Sequence, residues 1–210
     1  MENNQVTVTG TIMKECELDH SVLGEKFYKT ALLVPRTSGT MDEIPILISD
    51  RIPVRMQDLK GKTVNVYGEF RSYNNQGEGK KLLLYVFAQE IDFVEEEEYH
   101  NKNGIYLEGF LCKQPTYRKT PLGRDIADIL IAVNRPYGKS DYIPCVAWGR
   151  NAKWASGLPV GCNVQIHGRI QSRVYHKTVS EGCVEERMAY EVSISSMDKV
   201  YREESGGEQE

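Results

Sequence analysis

The chain has 210 residues, 40% of them hydrophobic and 27% charged, with a formal net charge of −4. That length holds one large domain or two small ones, each able to bury a core, and the composition is that of an ordinary globular protein. No apolar run approaches a membrane span, and the opening MENNQVTVTG has neither the basic nor the apolar region of a signal peptide, so a cytoplasmic chain without membrane contact is expected.

Taken in chain order, VTVTGTI at 6–12 begins a hydrophobic pattern of mainly period two, broken by Gly, Pro and Asn clusters. It continues through VLGEKF at 22–27, TALLVPR at 30–36 and EIPILI at 43–48. PVRMQDLK at 53–60 stands in a helix position, and KGKTVNVYGEFRS at 60–72 returns to alternation. After the acidic run EEEE at 95–98 the pattern recurs. IYLEGFL at 105–111, PLGRDI at 121–126, ILIAVNR at 129–135 and YIPCVA at 142–147 repeat the first four segments at a constant offset of 99 residues. A single one-residue shift then lays VGCNVQIHGRIQS at 160–172 on the 60–72 segment. So long a shared register marks a duplicated unit of roughly 95 residues.

The second copy reads as strands near 104–112, 125–134, 141–148, 163–175 and 187–199. NAKWASGL at 151–158 reads as a helix with Ala152, Ala155 and Leu158 at three-residue spacing and Trp154 at its edge. Five short strands with a helix after the third describe an OB-fold, a small partly open barrel. The expected architecture is therefore all-β with one short helix per domain, two tandem OB-fold five-stranded β-barrels. Residues 1–94 form the first barrel, 95–102 an acidic linker, 103–202 the second barrel and 203–210 a short acidic tail.

The mild net charge hides an asymmetry. Residues 1–94 sum to −2, residues 99–202 to +6, and the runs 95–98 and 203–210 to −4 each. One basic block between acidic runs suits a polyanion-binding surface, although charge runs are also simply solvated. In DYIPCVAWGR at 141–150, Tyr142, Pro144, Val146 and Trp148 share one parity, while Ile143, Cys145 and Ala147 take the other and can enter a core. Pro144 and its counterpart Pro45 cannot donate to a ladder, which predicts an edge or a bulge. On the following strand His167, Arg169, Gln171, Arg173 and Tyr175 alternate with Val164, Ile166, Gly168 and Ile170.

GIYLEGFLCKQPTYRKTPLGRDIADILIAVNR, DYIPCVAWGRNAKW and GCNVQIHGRIQSRVY resemble, in order, segments of the bacterial single-stranded DNA-binding protein family. The resemblance covers most of 103–200; in the first copy it is one of fold. It implies a protein that coats single-stranded DNA without catalysis, during replication, recombination or repair. It also implies that Tyr137, Tyr142, Trp148 and Tyr175 stack on bases. The basic residues Arg118, Lys119, Arg135, Lys139, Arg150, Arg169, Arg173 and Lys177 would follow the phosphate backbone. Tyr142 and Trp148 would equally suit a covered protein interface. Family members with one such domain form tetramers, so a homodimer giving four OB-folds is expected here.

By the same offsets the four aromatic positions become Ser38, Glu43, Ser49 and Asn75 in the first copy, and Arg169 becomes Glu69. A packing or assembly role is expected for that copy. The five cysteines, Cys16, Cys112, Cys145, Cys162 and Cys183, form no CxxC pair, which fits reduced thiols. No nucleotide loop, nucleophile elbow or metal motif occurs, so no enzyme, cofactor or metal is expected. The competing reading is a protein-interaction module, a primosome-like or mobile-element accessory factor. The terminal REESGGEQE is acidic but lacks the apolar tip with which family members recruit replication or repair proteins. That difference favours a specialised role.

Overall fold

The computed structural model describes residues 3–75, 81–95, 100–180 and 183–201. The first half holds β1 (Asn4–Ile12), β2 (Glu17–Val22), β3 (Glu25–Pro35), β4 (Met41–Ser49), β5 (Thr63–Asn75) and β6 (Lys81–Phe93). The second holds β7 (Asn103–Leu111), β8 (Thr116–Lys119), β9 (Asp125–Asn134), β10 (Ser140–Trp148), α1 (Gly149–Ser156), β11 (Asn163–Ser180) and β12 (Cys183–Lys199). In β7 the alternation places Ile105, Leu107 and Leu111 inside.

Pairing closes each half on itself. β1 joins β3 and β5, β4 joins β3 and β6, and β5 joins β6, so the order β1-β3-β4-β6-β5 returns to β1. The second half closes identically through β7-β9-β10-β12-β11. These are two tandem OB-fold five-stranded barrels. Ile12, Leu32, Ile44, Ile46, Val66 and Phe70 fill one core, and Leu107, Leu111, Ile131, Ile143, Ile166 and Ile170 the other.

Four details depart from the sequence reading. β2 and β8 are additional strands outside the rings, each hydrogen-bonded, among the described residues, to the following strand alone, β3 or β9. Both are exposed along their whole length, so no apolar period announces them. β2 is set by a two-residue turn in which Leu23 (φ 50) and Gly24 (φ 85) both adopt left-handed backbone, which matches the twist of a hairpin. The helix expected at 53–60 shrinks to a single 3-10 turn, Met56–Asp58. Pro53 falls at the place of Ala152 in α1, and inside a helix it would lack a donor and clash with the preceding turn. Pro144 and Pro45 stand neither on an edge strand nor at a bulge, since β10 and β4 have neighbours on both sides and pair with β9 and β3 without a shift. The parallel pairing with β12 or β6 begins one residue later, at Cys145 or Ile46, so each proline is free of that second ladder. Finally, α1 starts two residues earlier than 151, after Gly149 (φ 55) has turned the chain out of β10, while Ala152 and Ala155 bury as expected.

The barrels join through antiparallel pairing of β1 with β7, centred on Val6 opposite Ile105. Those two residues are equivalents at the offset of 99, so the joint has the symmetry of a homodimer made within one chain.

Candidate nucleic-acid interface

A groove of about 600 Å³ runs over the second barrel. Val146 and Trp148 of β10 form its floor and one wall. Arg169, Gln171 and Arg173 come from β11, Glu191 and Ser193 from β12, Ile126 and Asp128 from β9, and Arg118 and Arg124 from β8 and the turn after it. The strand parity accounts for this: Ile143, Cys145 and Ala147 are buried, which turns Tyr142 (41% exposed) and Trp148 (39% exposed) outward. Val146 shares their parity yet is buried, because it lies under the groove.

The structure brings Trp148, Arg118, Arg169 and Arg173 together in this groove. Tyr142 lies on the same strand face six residues away, about 20 Å along an extended chain. Tyr137 stands apart on the β9–β10 turn, 98% exposed and in left-handed backbone at φ 63. Tyr175 lies farther along β11, with the Arg173 guanidinium 5.9 Å from its ring centre. Lys119, Lys139 and Arg150 are exposed around this face, and the side chain of Lys177 lies outside the described residues.

Several of the cations already have internal partners. Arg118 Nε donates to Asp128 Oδ2 at 2.8 Å, which holds its guanidinium even more firmly protonated. Arg173 lies 3.5 Å from Glu191. Arg135 is drawn away from the second-barrel groove altogether. Its Nε lies 3.1 Å from Asp141 Oδ2, out of line for a hydrogen bond, and its guanidinium sits 5.9 Å from the Tyr73 ring of the first barrel.

Sequence reasoning missed a reciprocal clasp between the barrels. Asp42 of β4 is fully buried and accepts the Ser172 N–H of β11 at 2.7 Å, while the Glu43 N–H donates to Ser172 Oγ at 3.1 Å. The counterpart Asp141 of β10 accepts the Ser72 N–H of β5 at 2.6 Å, and the Tyr142 N–H donates to Ser72 Oγ at 2.8 Å. Burial pushes the Asp141 carboxyl up, with Ser72 and Arg135 pulling against it. Arg36 occupies the place beside Asp42 that Arg135 occupies beside Asp141, but it bonds its carboxylate fully: Nε donates to Asp42 Oδ2 at 2.7 Å, Nη2 to Asp42 Oδ1 and also to the Ser172 carbonyl at 2.9 Å. The retained pairs Arg36/Arg135, Asp42/Asp141 and Ser72/Ser172 were the available signal in the repeat.

The first barrel carries a smaller groove of about 300 Å³ at the corresponding place. Its ring positions are not those of the second barrel. Ser49 is buried and hydrogen-bonded to Glu25, and Glu43 pairs with Lys14. Rings come instead from His20, stacked on Phe27 at 4.8 Å, and from Phe87, covered by Arg71 at 4.3 Å. Among the described residues, no cluster of His, Cys, Asp and Glu could hold a metal ion, and no helix is long and apolar enough to cross a membrane.

Residues 102–200 match the model of the single-strand binding protein family. A single-stranded DNA-binding protein of Halalkalibacterium halodurans is 38% identical over 80 residues, 35% of this chain and 48% of that protein. One of Oceanobacillus iheyensis is 40% identical over 78 residues, 34% of this chain and 48% of that protein. The chain thus spans about half the length of the curated relatives it matches. The crystal structure of the single-stranded DNA binding protein from Thermus aquaticus superposes with a TM-score of 0.73 at 24% identity, covering 97% of this chain and 95% of that one. At that identity the likeness is one of fold.

Proposed function

We propose that the chain, whose residues 102–200 match the single-strand binding protein family, binds single-stranded DNA with little regard to sequence. The observation that carries the reading is Trp148, half-exposed on the wall of a groove that also holds Arg118, Arg124, Arg169 and Arg173. Every base offers a face on which a ring can stack, and arginines beside the ring meet the phosphates that follow. Tyr142 continues the same face, and Tyr137 on the β9–β10 turn and Tyr175 farther along β11 would offer further rings to the strand. Residues 103–202 then do the binding. Residues 1–94 pack and orient them; the acidic stretch 96–99 and the tail 203–210 lie outside the described residues. Such a protein protects exposed strands in the cytoplasm during replication, recombination or repair.

Titrating the full chain with a homopyrimidine oligonucleotide while following tryptophan emission tests this. Trp154 is also exposed, so the comparison is between Trp148→Phe and Trp154→Phe. Quenching should persist in Trp154→Phe and disappear in Trp148→Phe, and duplex DNA should bind more weakly than the single strand. Equal binding of duplex, or quenching confined to Trp154, would put the groove to another use, the docking of a protein partner included.

A further inference from the structure

We infer that Arg36 and Arg169, gathered around the one buried carboxylate of Asp42, form a phosphate subsite that spans the two barrels and leads a bound strand out of the second-barrel groove. The inference rests on the reading of that barrel as a single-strand binder and adds a residue of the first barrel to its site.

Arg36 holds both oxygens of the Asp42 carboxylate, Nη2 donating to Oδ1 and Nε to Oδ2, and Arg169 approaches the second of them. Arg36 Nε donates to Asp42 Oδ2 at 2.7 Å, and Arg169 Nη1 lies 3.5 Å from that atom without a hydrogen bond to it. Glu191 also acts on Arg36 but is engaged by Arg173 at 3.5 Å, so Arg36, Arg169 and Arg173 against Asp42 and Glu191 leave one positive charge in excess where the barrels meet. Burial and the nearby Arg36 both weaken the hold of Arg169 on its proton, as expected of a cation short of compensation. A phosphate supplies the missing charge, and guanidiniums suit its oxygens in fork geometry.

Position agrees with charge. Arg36 and Arg169 line the main groove and also a crevice of about 330 Å³ on its far side, bounded by Ser38 and Asn101. They stand where a strand leaving the groove would cross between barrels. The symmetric half excludes a purely architectural explanation. Arg135 and Asp141 reproduce Arg36 and Asp42, but Glu69 replaces Arg169 and pairs with Arg71 at 2.7 Å, so that side is neutral. The clasp therefore forms with either residue, and only one copy keeps the excess charge.

The test uses the full chain, oligothymidylate as the strand and a series of salt concentrations. Arg36→Gln and Arg169→Glu are compared with Arg135→Gln; glutamate is the side chain that the first barrel already carries at the Arg169 position. Each subsite variant should lose about tenfold in affinity at low salt, and its log–log salt slope should shrink by roughly 0.7 for each phosphate contact removed. Arg135→Gln should keep the parent slope. An unchanged slope in both subsite variants, or the same loss in Arg135→Gln, would overturn the subsite while leaving the groove intact. A parent chain that fails to bind oligothymidylate would instead overturn the single-strand reading beneath it.

Discussion

Trp148 holds its place because the other parity of β10, Ile143, Cys145 and Ala147, is locked in the barrel core. Truncating an outward ring removes a stacking platform and little packing. Trp148→Ala or Tyr175→Ala should therefore cost roughly 1–3 kcal/mol of strand affinity for each lost stack, with the melting temperature of the chain unchanged. Ser49→Ala, at the Trp148 position of the first barrel, should leave affinity as it is, measured in the same titration. Equal losses from Trp148→Ala and Ser49→Ala would show that this face is no strand platform. The ion pairs are a second lesson at this scale. Arg118 and Arg173 read from the sequence as contacts to a phosphate backbone, and in the structure each meets a carboxylate, Asp128 or Glu191. A strand bound as proposed would have to compete with those carboxylates for the guanidiniums, which would weaken each phosphate contact below that of an unpaired arginine.

Elements are positioned by close approaches as much as by hydrophobic faces. Where β11 meets β12 the register slips between His167 and Gly168, and a Cβ on Gly168 would lie 2.4 Å from the Ser193 carbonyl oxygen. Gly168→Ala should destabilise the chain by about 2 kcal/mol or more. Gly104→Ala, whose Cβ would meet nothing within 4 Å, should stay within about 0.5 kcal/mol of the parent. Denaturant unfolding of the two variants checks the contrast, and equal stabilities would show that the slip relaxes freely. The barrels themselves were legible because alternation and repeat reinforced each other: each inward residue of β9, such as Ile131, has its counterpart in β3, such as Leu32. β2 and β8 were not, since they bury no side chain and owe their pairing to backbone bonds and a turn. The first-barrel helix was misread because a period of apolar residues does not register the single donor lost at Pro53. The groove arginines of β11 could be read from parity. Arg36 could not, because its place in the second-barrel groove depends on how β1 docks beside β7, and neither strand's own pattern encodes its neighbour.

At the scale of the molecule, one chain already joins two barrels about a local twofold through β1 and β7. Two chains would supply four barrels within a closed twofold assembly. Light scattering at micromolar concentration should accordingly give twice the chain mass of 23.9 kDa. A monomer that binds strands with undiminished affinity would remove the case for a dimer. Assembly would also bring two copies of each groove onto one particle, so a strand long enough to reach both should be held more tightly than two short ones.

Fusion has a further consequence for the two halves of the clasp. In a dimer of identical barrels every substitution occurs twice, so Arg169 on one side would demand Arg169 on the other. Covalent linkage lifts that constraint, and the chain holds Arg169 on one side of the joint and Glu69 on the other. A nucleic-acid strand has a direction, 5′ to 3′, that a twofold-symmetric receptor would meet equally well from either end. With the charge excess on one side only, the two ways of threading it are no longer equivalent. Were a strand bound as proposed, the duplication would give the clamp the means to tell the ends of its strand apart.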